Sequence, residues 1–140
     1  MGLGLYTEIK KGDDSIHICN VHGVAYAADN KLDNPARLEQ SRVLIDFFGP
    51  LSGQKIIGGD FNILPDTDSI RAFATGGYVD LIKQFNIQAT RNRFSWDLHP
   101  GSKQYYSDYV FISPDVKVQN FVVPQNEISD HLPIILDIEN

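Results

Sequence analysis

At 140 residues and a formal charge of −6, the chain fits a single domain spanning residues 1–140, and its acidic balance argues against a broad nucleic-acid-coating protein. Hydrophobic residues make up 42% and aromatic residues 11%, an ordinary globular mix that excludes intrinsic disorder. No apolar run reaches the roughly 20 residues of a membrane helix and the start lacks a signal peptide's basic-then-apolar order, which favours a soluble, cytoplasmic protein.

In chain order, residues 3–9 and 15–22 read as two strands joined by "KKGDDS", a polar, glycine-containing hairpin connection. Alternation in the second puts Ile16, Ile18, Asn20 and His22 on one face and Cys19 and Val21 on the other. Cys19, the lone cysteine, reads as core packing, and His17 and His99 read as surface residues. A helix is expected over 34–51, with Asn34 as N-cap, Pro35 at the first helical position, and Leu44, Phe47, Phe48 and Leu51 as its apolar stripe. "QKIIGG" at 54–59 has the continuous apolar form of a strand buried on both faces. A second helix is expected over 78–86 with Val79, Ile82 and Phe85 inward, followed by a long polar loop over 87–104. Strands near 106–112, 116–123 and 132–138 close the chain.

Several of these strands end in groups suited to chemistry: Asn20 with His22, Asp60 with Asn62, Asp108, and Asp130 with His131. Carboxylates, amides and imidazoles so placed are the parts of a metal-assisted hydrolysis. Asp60 and Asn62, two apart, point the same way in an extended chain and can share a ligand, but "DFN" equally suits a turn bonded to its own backbone. Asp108 in "YYSDYVFIS" is costly to bury alone and calls for a partner such as a histidine, unless the strand is a solvent-facing edge. His131 held by Asp108 makes a water-activating dyad, whereas His22 by itself equally suits a satisfied core histidine. Arg91, Arg93 and Lys103 can meet phosphates and Trp96 or Tyr105 can stack on a base, though a solvated loop anchored by a buried tryptophan fits as well.

"NVHG" at 20–23, "GGDFN" at 58–62, "SDYVFIS" at 107–113 and "SDH" at 129–131 stand in the order and spacing of the endonuclease/exonuclease/phosphatase superfamily, and the chain resembles that family's C-terminal half. "RLEQSRVLIDFF", "GGYVDLIKQF" and "RFSW" resemble its intervening segments. The resemblance implies an α+β fold: a mostly antiparallel sheet with helices on one face, half of a four-layer αββα sandwich of the DNase I type. It implies that Asp60 positions the attacking water, Asn62 bonds that water or a phosphate oxygen, and His131, held by Asp108, contacts the scissile phosphate. His22 would be the second histidine on the phosphate, Asn20 would support the site, and Asp130 would lie at a Mg²⁺ (or Mn²⁺) site. The implied activity is metal-dependent hydrolysis of phosphate mono- or diesters, with a nucleic acid, sugar phosphate or lipid phosphate as substrate. Arg91, Arg93 and Trp96 are the candidate substrate contacts.

Family members are about twice this length. The opening strand with its Asn, and the strand with the Glu that is the principal Mg²⁺ ligand, have no counterpart here. Glu8, Glu39, Glu127 and Glu139 lie outside the matching motifs. A half-sandwich leaves one apolar sheet face open, so a partner is expected there, either the missing N-terminal half or a second copy in a homodimer. Without that Glu, a non-catalytic binding or assembly module is the alternative reading.

Overall fold

The computed structural model describes residues 2–25, 30–98, 100–101 and 104–139. Strands β1 (Leu3–Lys11) and β2 (Asp14–His22) form the expected hairpin, antiparallel from Leu3 opposite His22 to Lys11 opposite Asp14. Its tight turn passes through Gly12 at φ +63°. Helix α1 (Pro35–Phe48) then carries the chain back to β3 (Gln54–Asp60), which pairs parallel to β2. A parallel neighbour requires such a crossover. Strand β5 (Asp108–Ile112) pairs antiparallel to β3, and a two-residue strand β4 (Val79–Asp80) closes the far edge, giving the order β1-β2-β3-β5-β4. Strands β6 (Val118–Val122) and β7 (Ile135–Ile138) make a separate antiparallel pair.

The register fixes what each face carries. Tyr6, Cys19, Ile57 and Phe111 form one row across β1, β2, β3 and β5. Phe47 and Phe48 of α1 pack edge-on to Tyr6, with ring centroids 5.3 and 5.9 Å away. Helix α2 (Asp68–Thr75) covers the same side, its Phe73 stacked on Phe111 at 4.0 Å. Cys19, Ile57, Phe73 and Phe111 are all buried in this core. The opposite face is apolar and open towards β1, where Leu3 and Leu5 are 72% and 70% exposed. Nearer the centre, Ile18, Ile56 and Val110 with Leu132, Ile134 and Leu136 line a concavity of about 370 Å³. The fold is α+β, with a mostly antiparallel sheet and α1 and α2 on one of its faces.

Helix α1 starts as expected: Asn34 accepts the Arg37 N–H at 2.9 Å and Pro35 opens the first turn. It stops at Phe48, so Leu51 lies beyond it and Phe47 stays half exposed. Arg37 is almost wholly buried, donating from Nε to Val24 O at 3.2 Å and from Nη1 to Leu32 O at 2.5 Å, which ties the preceding loop to the helix.

Other elements differ from expectation. The helix expected over 78–86 is β4 followed by the single turn α3 (Leu81–Gln84), capped by Asp80, which accepts the Lys83 N–H at 3.2 Å. Phe85 lies past it, 40% exposed, its ring 5.3 Å from Phe121. Helix α2 has no counterpart in the sequence reading; Asp33 accepts from the amides of Asp68 and Ser69 at 2.6 and 3.0 Å and holds its start. The loop expected over 87–104 contains helix α4 (Arg93–Leu98). His17 is buried, not on the surface: it has the parity of Cys19, and its ring bonds Tyr6 Oη and Ser52 O, both at 2.8 Å. His99 lies outside the described residues. No helix among the described residues is long and apolar enough to cross a membrane.

Candidate active site

The register aligns the polar strand ends. His22 sits opposite Asp60, and Asp60 opposite Asp108, so residues from β2, β3 and β5 form one row across the sheet. The glycines of the two motifs make this alignment possible. Gly59 has φ +131°, and a Cβ there would stand 2.2 Å from Val21 O. A Cβ on Gly23 would stand 2.4 Å from Phe61 O, where the two strands leave the sheet in contact. The Gly23 amide donates to Asp60 O at 2.6 Å and locks that junction.

Beyond the row, the chain doubles back to deliver a histidine. Asp130 and His131 precede β7 and do not open it. Ser129 holds their turn, its Oγ donating to His131 O and accepting the His131 amide, each at 3.0 Å. Thr90 supports both sides. Its carbonyl accepts the Leu132 amide at 2.8 Å, and its Oγ1 accepts the amides of Ser107 and Asp108 at 3.1 Å.

His131 Nδ1 thereby lies 2.9 and 3.0 Å from the two carboxylate oxygens of buried Asp108, and donates to them. Asp108 is not a solvent-facing edge residue. Its β5 is paired on both sides, and the imidazole is the partner its buried charge requires. His131 Nε2 accepts from Arg91 Nη1 at 3.0 Å and lies 3.7 Å from Asp60 Oδ2. The Asp108 hydrogen bond raises the His131 pKa above the ordinary 6.5, while burial and the Arg91 charge oppose it.

Of the two sequence readings of Asp60 and Asn62, the geometry contains the turn. Asp60 Oδ1 accepts the Asn62 N–H at 2.8 Å, a side-chain turn, and also the Ser107 hydroxyl. Asp60 Oδ2 faces His131. Asn62 adopts φ +55°, and its amide donates to Gly23 O at 3.3 Å.

The remaining candidates separate. Arg91 is part of the site: Nη2 donates to Asp130 Oδ2 at 2.5 Å and to Ser95 Oγ at 3.1 Å, alongside the Nη1 contact to His131. Asp130, implied as a metal ligand, is turned to that arginine instead, so Asp130 and His131 converge on one neighbour. His22 and Asn20 are exposed on β2, His22 in the strand next to Asp60. Arg93 pairs with Glu127 at 2.7 Å on the surface. Trp96 packs edge-on against Tyr105, ring centroids 5.0 Å apart, and its indole N–H is buried with no hydrogen-bond partner among the described residues. Lys103 lies outside the described residues.

Three residues escaped the sequence reading. Ser107 bonds Asp60, Thr90 braces Ser107 and Asp108, and Lys31 brings an ammonium close enough for Asp60, Asp108 and Arg91 to act on its charge. Ser107 was legible as the neighbour of Asp108 in "SDY", but Thr90 and Lys31 arrive from loops with no periodic pattern.

Asp60, Asp108 and His131 each place one ligand atom within 4.8 Å of the others, a set able to hold a cation. Mg²⁺ commonly takes one or two carboxylates, completing its shell with water and substrate phosphate, and the donor set is compatible with that pattern. Glu8, Glu39, Glu127 and Glu139 are engaged elsewhere, with Ser15, Arg42, Arg93 and Lys117.

The same fold recurs in solved structures. An endonuclease/exonuclease/phosphatase family protein from Bacteroides thetaiotaomicron superposes with TM-score 0.73 at 20% identity, over 98% of this chain and 54% of that one. The human Nocturnin catalytic domain with bound sulfate gives TM-score 0.70 at 18% identity, over 99% and 52%. A mannosyl-6-phosphatase from Bacteroides thetaiotaomicron gives 0.62 at 20% identity, over 92% and 53%. The chain thus spans about half the length of these neighbours. No curated protein sequence matches it. A sequence profile described as "Endonuclease/Exonuclease/phosphatase family" matches residues 9–131, taking in Asn20 and His22 near its start and the "SDH" turn at its end. With most of its length inside that profile, the chain belongs to the Endonuclease/Exonuclease/phosphatase family.

Proposed function

We propose that the protein is a divalent-metal-dependent phosphoesterase, Mg²⁺ or Mn²⁺ being the ion, and that Asp60, Asn62, Asp108 and His131 carry the reaction. The observation behind this reading is the imidazole of His131 set between two carboxylates, hydrogen-bonded to Asp108 and 3.7 Å from Asp60 Oδ2. Asp108 fixes the ring orientation and turns Nε2 towards Arg91 Nη1 and Asp60 Oδ2, where an incoming phosphate would compete with Arg91 for it. Asp60 Oδ2, with no hydrogen bond among the described residues, takes a proton from water and directs the water oxygen at phosphorus. Asn62 and His22, at the neighbouring strand ends, donate to phosphate oxygens, with Asn20 in support. Asp60 and Asp108 are the residues that would hold the cation, which when bound neutralises charge on the phosphate oxygens.

Similarity to a mannosyl-6-phosphatase and to a sulfate-bound Nocturnin domain supports a phosphate-ester ligand. Asp60→Ala should lower Mg²⁺-supported phosphate release or nucleic-acid nicking by at least about 100-fold. Activity indifferent to the change would sink the assignment. A second reading, a binding or assembly module, draws on the engagement of all four glutamates away from the site. Mg²⁺ titration separates the two, since saturation well below about 1 mM counts against a binding-only module.

A further inference from the structure

Lys31 is a cation that the proposed hydrolysis has not used. It sits in the turn before α1 with φ +58°, and its carbonyl accepts the Leu64 amide at 2.9 Å. The side chain runs inward, half buried, and Nζ donates to Tyr106 O at 3.4 Å, two residues before Asp108. Among the described residues no carboxylate lies within ion-pair distance of it. An ammonium has three N–H donors, and one long bond to a carbonyl leaves two without an acceptor among the described residues. Burial and the nearby Arg91 charge pull its pKa down to about 8, while Asp60 and Asp108 act in the other direction.

Arg91 cannot substitute for this cation. Both its Nη atoms are committed to His131, Asp130 and Ser95, and only 12% of its side chain is exposed. The site thus pairs a fixed guanidinium, holding the histidine, with an ammonium that has donors to spare. A phosphate monoester presents up to two negative charges and three non-bridging oxygens, where a diester presents one charge and two such oxygens. An additional half-desolvated cation therefore gains more from the monoester.

We propose that Lys31 is a substrate-binding residue that takes a non-bridging phosphate oxygen, and that it biases the site towards phosphate monoesters over diesters. This rests on the phosphoesterase reading. The test compares p-nitrophenyl phosphate with bis-p-nitrophenyl phosphate in the wild type and in Lys31→Met, Lys31→Arg and Asp60→Ala. Lys31→Met should cut kcat/KM for the monoester about 100-fold, mostly through KM, and for the diester less than about 10-fold, with Lys31→Arg recovering most of the loss. Equal losses on both substrates, or none, overturn the proposal. Loss of activity in Asp60→Ala beside an unaffected Lys31→Met defeats the Lys31 role alone, whereas an unaffected Asp60→Ala defeats the phosphoesterase reading. Independently of turnover, calorimetric titration with inorganic phosphate should show Lys31→Met binding at least about 10-fold more weakly than wild type and Lys31→Arg. Indistinguishable affinities in folded variants also overturn it.

Discussion

His131 Nδ1 faces the Asp108 carboxylate and Nε2 faces the Arg91 guanidinium, one favouring the protonated ring and the other opposing it. Two opposing charges therefore set its titration. In metal-free protein followed by NMR, the His131 midpoint should lie above 6.5, fall in Asp108→Asn, and rise in Arg91→Gln, which removes a cation from the protonated ring. Because the folded midpoint is raised, the stability this pairing adds is complete below 6.5 and fades as pH rises through the folded midpoint. A midpoint unmoved by Asp108→Asn would show that the hydrogen bond does not control the ring. At this scale the sequence was legible where parity or a motif spoke. Asp108 and His131 read as partners because a carboxylate in an apolar strand needs one. His17, read as a surface residue, shares the parity of buried Cys19, which places it in the core. The contacts of Asp130 and Lys31 with Arg91 and Tyr106 join positions 39 and 75 residues apart, which no local pattern encodes.

Among the elements, β3 carries the tightest constraint. Its Gly59 combines a left-handed backbone with a carbonyl 2.2 Å from where a Cβ would stand, so Gly59→Ala should cost about 3 kcal/mol in urea unfolding. Gly12, at φ +63° with nothing within 4 Å, isolates the conformational part, and Gly12→Ala should cost about 1 kcal/mol. Equal costs at the two positions would mean that the crowding against Val21 relaxes freely. The hairpin, α1 and β3 were legible because a turn, an N-cap with proline, and a continuous apolar run each mark them locally. Helix α2 was not. "PDTDSI" carries turn chemistry in the same residues that begin the helix, and the Asp33 carboxylate that caps it comes from a distant loop. Helix α4 was hidden likewise, in a polar segment whose order comes from Thr90 and Asn92 bonding to residues 105 and 129–132.

For the molecule as a whole, the open face of β1 and β2 is the feature to test in solution. Leu3, Leu5 and Ile9 leave apolar side chains exposed along β1, with Thr7 between Leu5 and Ile9, and for the isolated 140-residue chain we propose that a second copy covers them. Sedimentation should give a mass above the 15.7 kDa monomer, and Leu5→Lys should return it to the monomer with unchanged circular dichroism. A wild-type monomer at micromolar concentration would rule out self-association through this face. The fold class was legible through the four ordered motifs, "NVHG", "GGDFN", "SDYVFIS" and "SDH", and the open face was expected because the resemblance covers only half of a sandwich. The row of His22, Asp60 and Asp108 has a kinetic consequence too. Its members join strands separated by tens of residues, so the slow, long-range closures that build the sheet also build the site. Early folding species hold no assembled site, and a phosphate ligand should slow unfolding while leaving the folding rate unchanged.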